Sequence, residues 1–298
     1  MLHPSHDVPT MNLFAPTAAN ATSPTATLAE LLSRRERLAS SPTQRVRFHV
    51  GTDWQQGRTT FGGVLSALAV QAMRDVCGSD WPLRALQTNF VGPVSPGTFD
   101  VEVVLLRQGK NIRQVQARVL QADEAGVEQV GGVLLGVFGA ARTSTLPHLR
   151  PDHHPVAKDP DSAFLWPYVP GVTPAFTQHL EVRQAEGGMP FTGSDEWHSR
   201  THVRLHEPAQ IDNELQSVLL ADAGPTPALA QLNGFAPASS VSWALELRPV
   251  DVSPHTGFWR MDKDALATGD GYVNEKTTLW TPDGQLAALG YQVVAVYG

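Results

Sequence analysis

Asp222 lies in the stretch Ile211–Ala230, IDNELQSVLLADAGPTPALA. Leu215, Val218 and Leu219 recur there at helical spacing, and Asp222 continues the same stripe. A carboxylate on an apolar face is costly to bury. Gly224-Pro225 predicts that the helix ends or kinks two residues later. Near a helix C-terminus the dipole disfavours negative charge and raises a carboxylate's pKa. That combination suits a general base; the competing reading is an Asp on the solvated rim of a helix. Other chemistries find less support. There is no GxSxG elbow, Rossmann glycine pattern or P-loop. His148, His153 and His154 lie close in sequence, but without paired cysteines or HExxH spacing, so no metal site is expected and no cofactor is implied. The single cysteine, Cys77, ends an apolar helix-like run and reads as a packing residue. It cannot form an internal disulfide, which fits a reducing compartment.

The elements that must position such a residue follow from the rest of the chain. Its 298 residues suffice for two ordinary domains or one large one. The composition is globular, with 42% apolar and 17% charged residues, and the net charge of −7 argues against nucleic acid as the main partner. The longest apolar run, Val64–Met73, is far too short to span a bilayer, so no membrane association is expected. Residues 1–26 are rich in Pro, Ala, Thr and Asn and lack a basic region followed by an apolar core. They read as a disordered tail rather than a secretory signal, with Met11 an alternative start and the cytoplasm the default compartment.

Thr27-Leu28-Ala29-Glu30 has the capping-box pattern and predicts a short helix to about Ser40. Arg45–Val50 alternates as a strand, and Gly62-Gly63 opens a strongly apolar helix to about Val76. Four strand-like segments follow: Leu83–Val94, Thr98–Arg107, Ile112–Gln121 and Val127–Ala140. Residues 143–175, with seven prolines and little periodicity, read as a linker. Then the pattern returns. Phe176–Gln184 and Glu196–Leu205 read as strands, Asp212 opens the second helix, and four strands run Ala238–Arg248, Gly257–Leu266, Gly271–Thr281 and Gln285–Tyr297. The offset between corresponding segments is about 155 residues, which marks a duplicated domain-sized unit. A helix that is apolar nearly all round needs cover on most sides. A curved antiparallel sheet wrapped around it supplies that cover, and two such sheets joined edge to edge hide their strand edges. The expected class is α+β, a double hotdog, with units at 27–142 and 176–298.

At this point RTTFGGVLSALAVQAM resembles the (R/G)xxFGGxxxxQAxxAA segment of the double-hotdog acyl-CoA thioesterases, the type II bacterial group and its peroxisomal relatives. PLRALQTNFVGPVSPG resembles that family's strand ending in RPG. ADAG, ASSVSWALELRP and DGQLAALGYQ follow in the family's order, and the resemblance covers about residues 45–298.

The resemblance implies an acyl-CoA thioesterase whose attacking water is held by an Asp, a Thr or Ser, and a Gln of the second unit. These positions match Asp222, Ser239 and Gln292. Ser239 shares strand parity with the apolar Val241, Trp243, Leu245 and Leu247, with Ser240 the alternative if a bulge shifts the register. Gln292 shares parity with Ala288, Gly290, Val294 and Val296, so its amide must bond something. A Ser or Gln bonded only to nearby backbone is the structural alternative for each. Ser stands at 239 where the best-known members have Thr; a missing methyl loosens the rotamer without removing the hydroxyl. Subtracting the offset from Asp222 lands among Ser66, Ala67 and Leu68, so one site per chain is expected. Gly62 and Gly63, at a helix start, would line the substrate site and offer backbone amides to an oxyanion. Arg200, Arg204, Arg248 and Lys263 are candidates for the CoA phosphates, and Trp243, Phe258 and Trp259 for an acyl tunnel, with surface cations and core aromatics as the ordinary readings. The competing functions are a non-hydrolytic acyl-CoA-binding or regulatory hotdog protein and a hotdog hydratase. The hydratase wants a His close after the Asp, which this sequence lacks. A fused pair is compatible with a monomer or a homo-oligomer.

Overall fold

Thr27 caps the first helix, α1 (Leu28–Ser33), as a true capping box. Its hydroxyl accepts from the Glu30 N–H at 3.2 Å, and Glu30 Oε2 accepts from the Thr27 N–H at 2.9 Å. The helix stops well short of Ser40. Arg35 turns back to the Asp75 carboxylate and the Leu32 carbonyl, and the chain leaves as an edge strand, β1 (Glu36–Leu38). The computed structural model describes residues 25–38, 43–78, 80–250 and 255–297, so the expected N-terminal tail lies almost wholly outside the described residues.

The first unit continues with β2 (Gln44–Val50), the short pair β3 (Gln55–Gln56) and β4 (Thr59–Thr60), and the helix α2 (Gly62–Cys77). Four strands follow: β5 (Leu83–Phe90), β6 (Gly97–Gln108), β7 (Ile112–Ala122) and β8 (Glu128–Gly139). After β9 (Phe164–Leu165) in the linker come β10 (Leu180–Gly187), β11 (His198–Leu205) and α3 (Asn213–Leu220). The chain closes with β12 (Ala238–Leu247), β13 (Trp259–Gly269), β14 (Tyr272–Trp280) and β15 (Leu286–Val296). The expected strand from Phe176 starts four residues late. Ala175–His179 is instead a 3-10 turn, in which the Thr177 hydroxyl donates to the Pro174 carbonyl at 2.7 Å.

All strands except β3 and β4 join one antiparallel sheet of 13 strands, in the order β1-β2-β6-β7-β8-β5-β12-β15-β14-β13-β11-β10-β9. The duplication is visible in that order. The run β2-β6-β7-β8-β5 repeats in reverse as β11-β13-β14-β15-β12, and the halves meet edge to edge where β5 pairs with β12, Ala85 opposite Glu246 and Asn89 opposite Ser242. Asp270 and Gly271, both with positive φ, form the two-residue turn between β13 and β14.

The sheet wraps α2, whose Val64, Ala67, Leu68, Ala69, Val70, Ala72 and Met73 are fully buried. Rich in Ala and Leu, α2 ends at Gly78 in the left-handed region. The two helices pack side by side, and the seam is tied by charge: Glu214 at the start of α3 accepts from Arg74 Nε at 2.9 Å and from the Leu83 N–H at 2.7 Å. The proline-rich linker runs across the outer face of the second half. Its carbonyls at His154, Lys158 and Pro160 accept from Arg260, His202 and Arg183, the last two at 2.9 Å. That cover explains why Arg260 and His202 are buried on a face that would otherwise meet water.

Candidate functional site

Asp212 caps α3 by accepting from the Leu215 N–H at 2.8 Å, and the helix closes at Ala221. Asp222 follows that cap, its N–H still directed to the Leu219 carbonyl at 3.4 Å. Its side chain turns inward and is 9% exposed, which settles the stripe argument in favour of the apolar face. There it meets the start of α2, at Gly62 and Gly63. The approach explains both glycines. A Cβ at position 62 would lie 2.7 Å from Asp222 Oδ2 and 2.9 Å from Phe90 Cζ, and one at 63 would lie 2.6 Å from the Leu219 carbonyl. Burial pushes the Asp222 pKa up to about 6, against the charge of Lys263 and the hydrogen bonds from Gln292 and Gly63; Glu275 pushes it further up.

The second and third members come from adjacent strands. Gln292 is buried on the inner face of β15, with Trp243 of β12 directly opposite. Its Nε2 donates to Asp222 Oδ1 at 3.0 Å and to Ser240 Oγ at 2.5 Å, so one amide ties the carboxylate to the hydroxyl. The hydroxyl is that of Ser240. Ser239, the first expectation, is exposed on the outer face. The reason is a bulge: the β12–β15 register shifts between Ser240 and Ser242, so Val241 is the extra residue and the parity counted back from Trp243 fails beyond it. Asp222, Gln292 and the half-buried Ser240 thus converge in one cluster next to the first turn of α2.

Other expectations fare differently. Gly62 and Gly63 do border the cluster, at the start of α2. Lys263 cannot reach a CoA phosphate at the surface: it is 3% exposed and its Nζ bonds Glu275 Oε1 at 2.8 Å. Arg200 pairs with Asp264 at 2.6 Å, and Arg204 pairs with Glu181 while lying over the Phe258 ring at 4.2 Å. Arg248 is exposed. Trp243 and Trp259 are core residues, and Phe258 is half-buried against Arg204. His153 packs on Trp280. The Lys263–Glu275 pair was missed, although Lys263 shares strand parity with the apolar Trp259 and Met261, a signal the sequence held.

Known proteins share this fold. The fold matches a hotdog-fold protein of unknown function from Alicyclobacillus acidocaldarius, with TM-score 0.77, 18% identity, and 92% of this chain and 99% of that one covered. It also matches a putative thioesterase II from Thermobifida fusca, with TM-score 0.75, 16% identity, and coverages of 93% and 100%. The tesB protein of Mycobacterium avium subspecies paratuberculosis gives TM-score 0.69, 17% identity, and coverages of 92% and 100%. At such identities the likeness establishes the hotdog fold. No curated protein matches in sequence. Family models of the acyl-CoA thioesterase N-terminal and C-terminal domains match residues 50–139 and 151–296, and together they span most of the chain. The chain belongs to the acyl-CoA thioesterase family.

Proposed function

We propose that this protein hydrolyses an acyl-CoA thioester to a free acid and CoA, using a single site in which Asp222 is the general base and Gln292 and Ser240 orient the water. In this reading the chain is a double hotdog, its units at 27–142 and 176–298, and the second unit carries the chemistry. The observation that carries the proposal is the Gln292 amide bonded at once to Asp222 Oδ1 and to Ser240 Oγ, deep between the sheet and the start of α2.

The water oxygen attacks the thioester carbonyl as Asp222 takes one of its protons. The tetrahedral oxyanion forms facing the N-terminal end of α2, whose dipole favours negative charge. Collapse breaks the carbon–sulfur bond, and the departing thiolate takes the proton back from Asp222. No acyl-enzyme forms. Gln292 and Ser240 act by holding the carboxylate and the water in one geometry, so they lower the entropic part of the barrier. A base with pKa near 6 is ionised at neutral pH and still basic enough to accept a proton.

The test is release of free thiol from a panel of acyl-CoA thioesters, from acetyl to long-chain and including polar acyl groups. Turnover of at least one thioester supports the proposal. No thiol from any of them sinks it and favours a binding or regulatory role.

A further inference from the structure

Beside the cluster lies a charged pair that neither the chemistry above nor the packing requires. Lys263 and Glu275 have side chains only 3% and 0% exposed, on the inner faces of β13 and β14. A buried ion pair seldom adds net stability, because desolvating two charges offsets their attraction. Nor is it needed to join its strands. β13 and β14 are already paired along their length, with Met261 opposite Leu279 and Lys263 opposite Thr277. The pair is also incompletely satisfied: Glu275 Oε2 is buried with no hydrogen-bond partner. Apolar residues would serve the core better at both positions.

What distinguishes the location is its neighbour. Glu275 stands directly opposite Gln292 in the β14–β15 ladder, on the same inner face. The Lys263 stem passes Gly224, two residues after Asp222, where an added Cβ would lie 4.0 Å from its Cδ. Asp222 is therefore faced by two charged groups, Lys263 from β13 and Glu275 from β14. It is faced by neutral groups elsewhere: Gln292 from β15, Ser240 through Gln292 from β12, Phe90 across Gly62 from β5, and the Gly63 N–H from α2.

We propose that Lys263 and Glu275 are positioning residues of this site, a buried pair whose opposite charges set the charge state of Asp222 in opposite directions. The proposal rests on the reading of Asp222 as the base. Lys263 favours the carboxylate and Glu275 disfavours it, and each holds the other in place against the reacting group. The arrangement lets a carboxylate buried among core residues stay ionised at neutral pH.

The experiment follows the Asp222 titration by carbon-13 NMR of its side-chain carboxyl, assigned by its loss in Asp222→Asn. Wild type is compared with Lys263→Met and Glu275→Gln. The expected result is a midpoint raised by about one pH unit or more in Lys263→Met and lowered by a comparable amount in Glu275→Gln. A purely structural pair would give shifts of the same sign or none, and midpoints within about 0.3 pH unit of wild type in both variants overturn the proposal. Should Lys263→Met fail to fold, Glu275→Gln decides alone, since glutamine keeps an acceptor for the ammonium. The reading needs no substrate. Absence of thiol release therefore refutes the hydrolase, while absence of opposite shifts refutes the role of the pair.

Discussion

Replacing Asp222 by Asn should make the protein more stable at neutral pH, and the gain should disappear in acid. Asp222 titrates near 6 in the folded chain and near 3.9 when unfolded. The folded state therefore binds the proton more tightly. The resulting stability is fully present below the unfolded pKa and is lost as pH rises through the folded one. An elevation of about two pH units corresponds to about 3 kcal/mol, and about half of it is lost between pH 5 and pH 8. In the Asp222→Asn variant the Gln292 amide turns to present its oxygen to the new side-chain amide. Any cost of that rearrangement is constant with pH. Urea unfolding of both proteins at pH 5 and pH 8 isolates the titration: the difference in unfolding free energy should grow by about 1.5 kcal/mol in favour of Asn at the higher pH. A difference that stays the same at both values would show that Asp222 is not held at a raised pKa, and the case for it as a tuned base would fail.

Two further outcomes follow from the same geometry. Ser240→Ala should lower kcat about a hundredfold with KM little changed, whereas Ser239→Ala should stay within about twofold of wild type; the reverse pattern would mean that the bulge at Val241 does not exist in solution. Gly63→Ala should destabilise the fold by about 1–3 kcal/mol, read as a drop in Tm, because its Cβ would fall 2.6 Å from the Leu219 carbonyl and 2.5 Å from Phe61 Cζ.

The elements and their duplication were legible because periodicity and turn residues are local properties. The strand order on the two sides of the β5–β12 seam is reversed, in keeping with the repeat spacing. Asp222 was legible for the same reason, as a carboxylate on an apolar stripe ahead of Gly224-Pro225. Ser240 lay one residue from the expected Ser239, because parity is countable only in an unbroken ladder and Val241 breaks this one. α1 ended early because Arg35 is claimed by Asp75, a partner forty positions along the chain that no local pattern discloses. The close approach of Asp222 to Gly62 is likewise tertiary. FGG announced a close approach at the start of α2, but not that the thing approached was the carboxylate itself. Lys263 is the more instructive miss: a lysine reads as surface by composition, and only its alternation with Trp259 and Met261 revealed the inner face.

The central claim is that a water activated by Asp222 cleaves the thioester. The most direct test is kcat/KM as a function of pH for wild type and Asp222→Asn, on whichever acyl-CoA the wild type turns over fastest. The account predicts that wild-type activity falls below an apparent pKa of about 6, and that the Asn variant loses about 10²–10⁴-fold at neutral pH together with that acid limb. Activity of the Asp222→Asn variant equal to wild type, with the same pH profile, would contradict it.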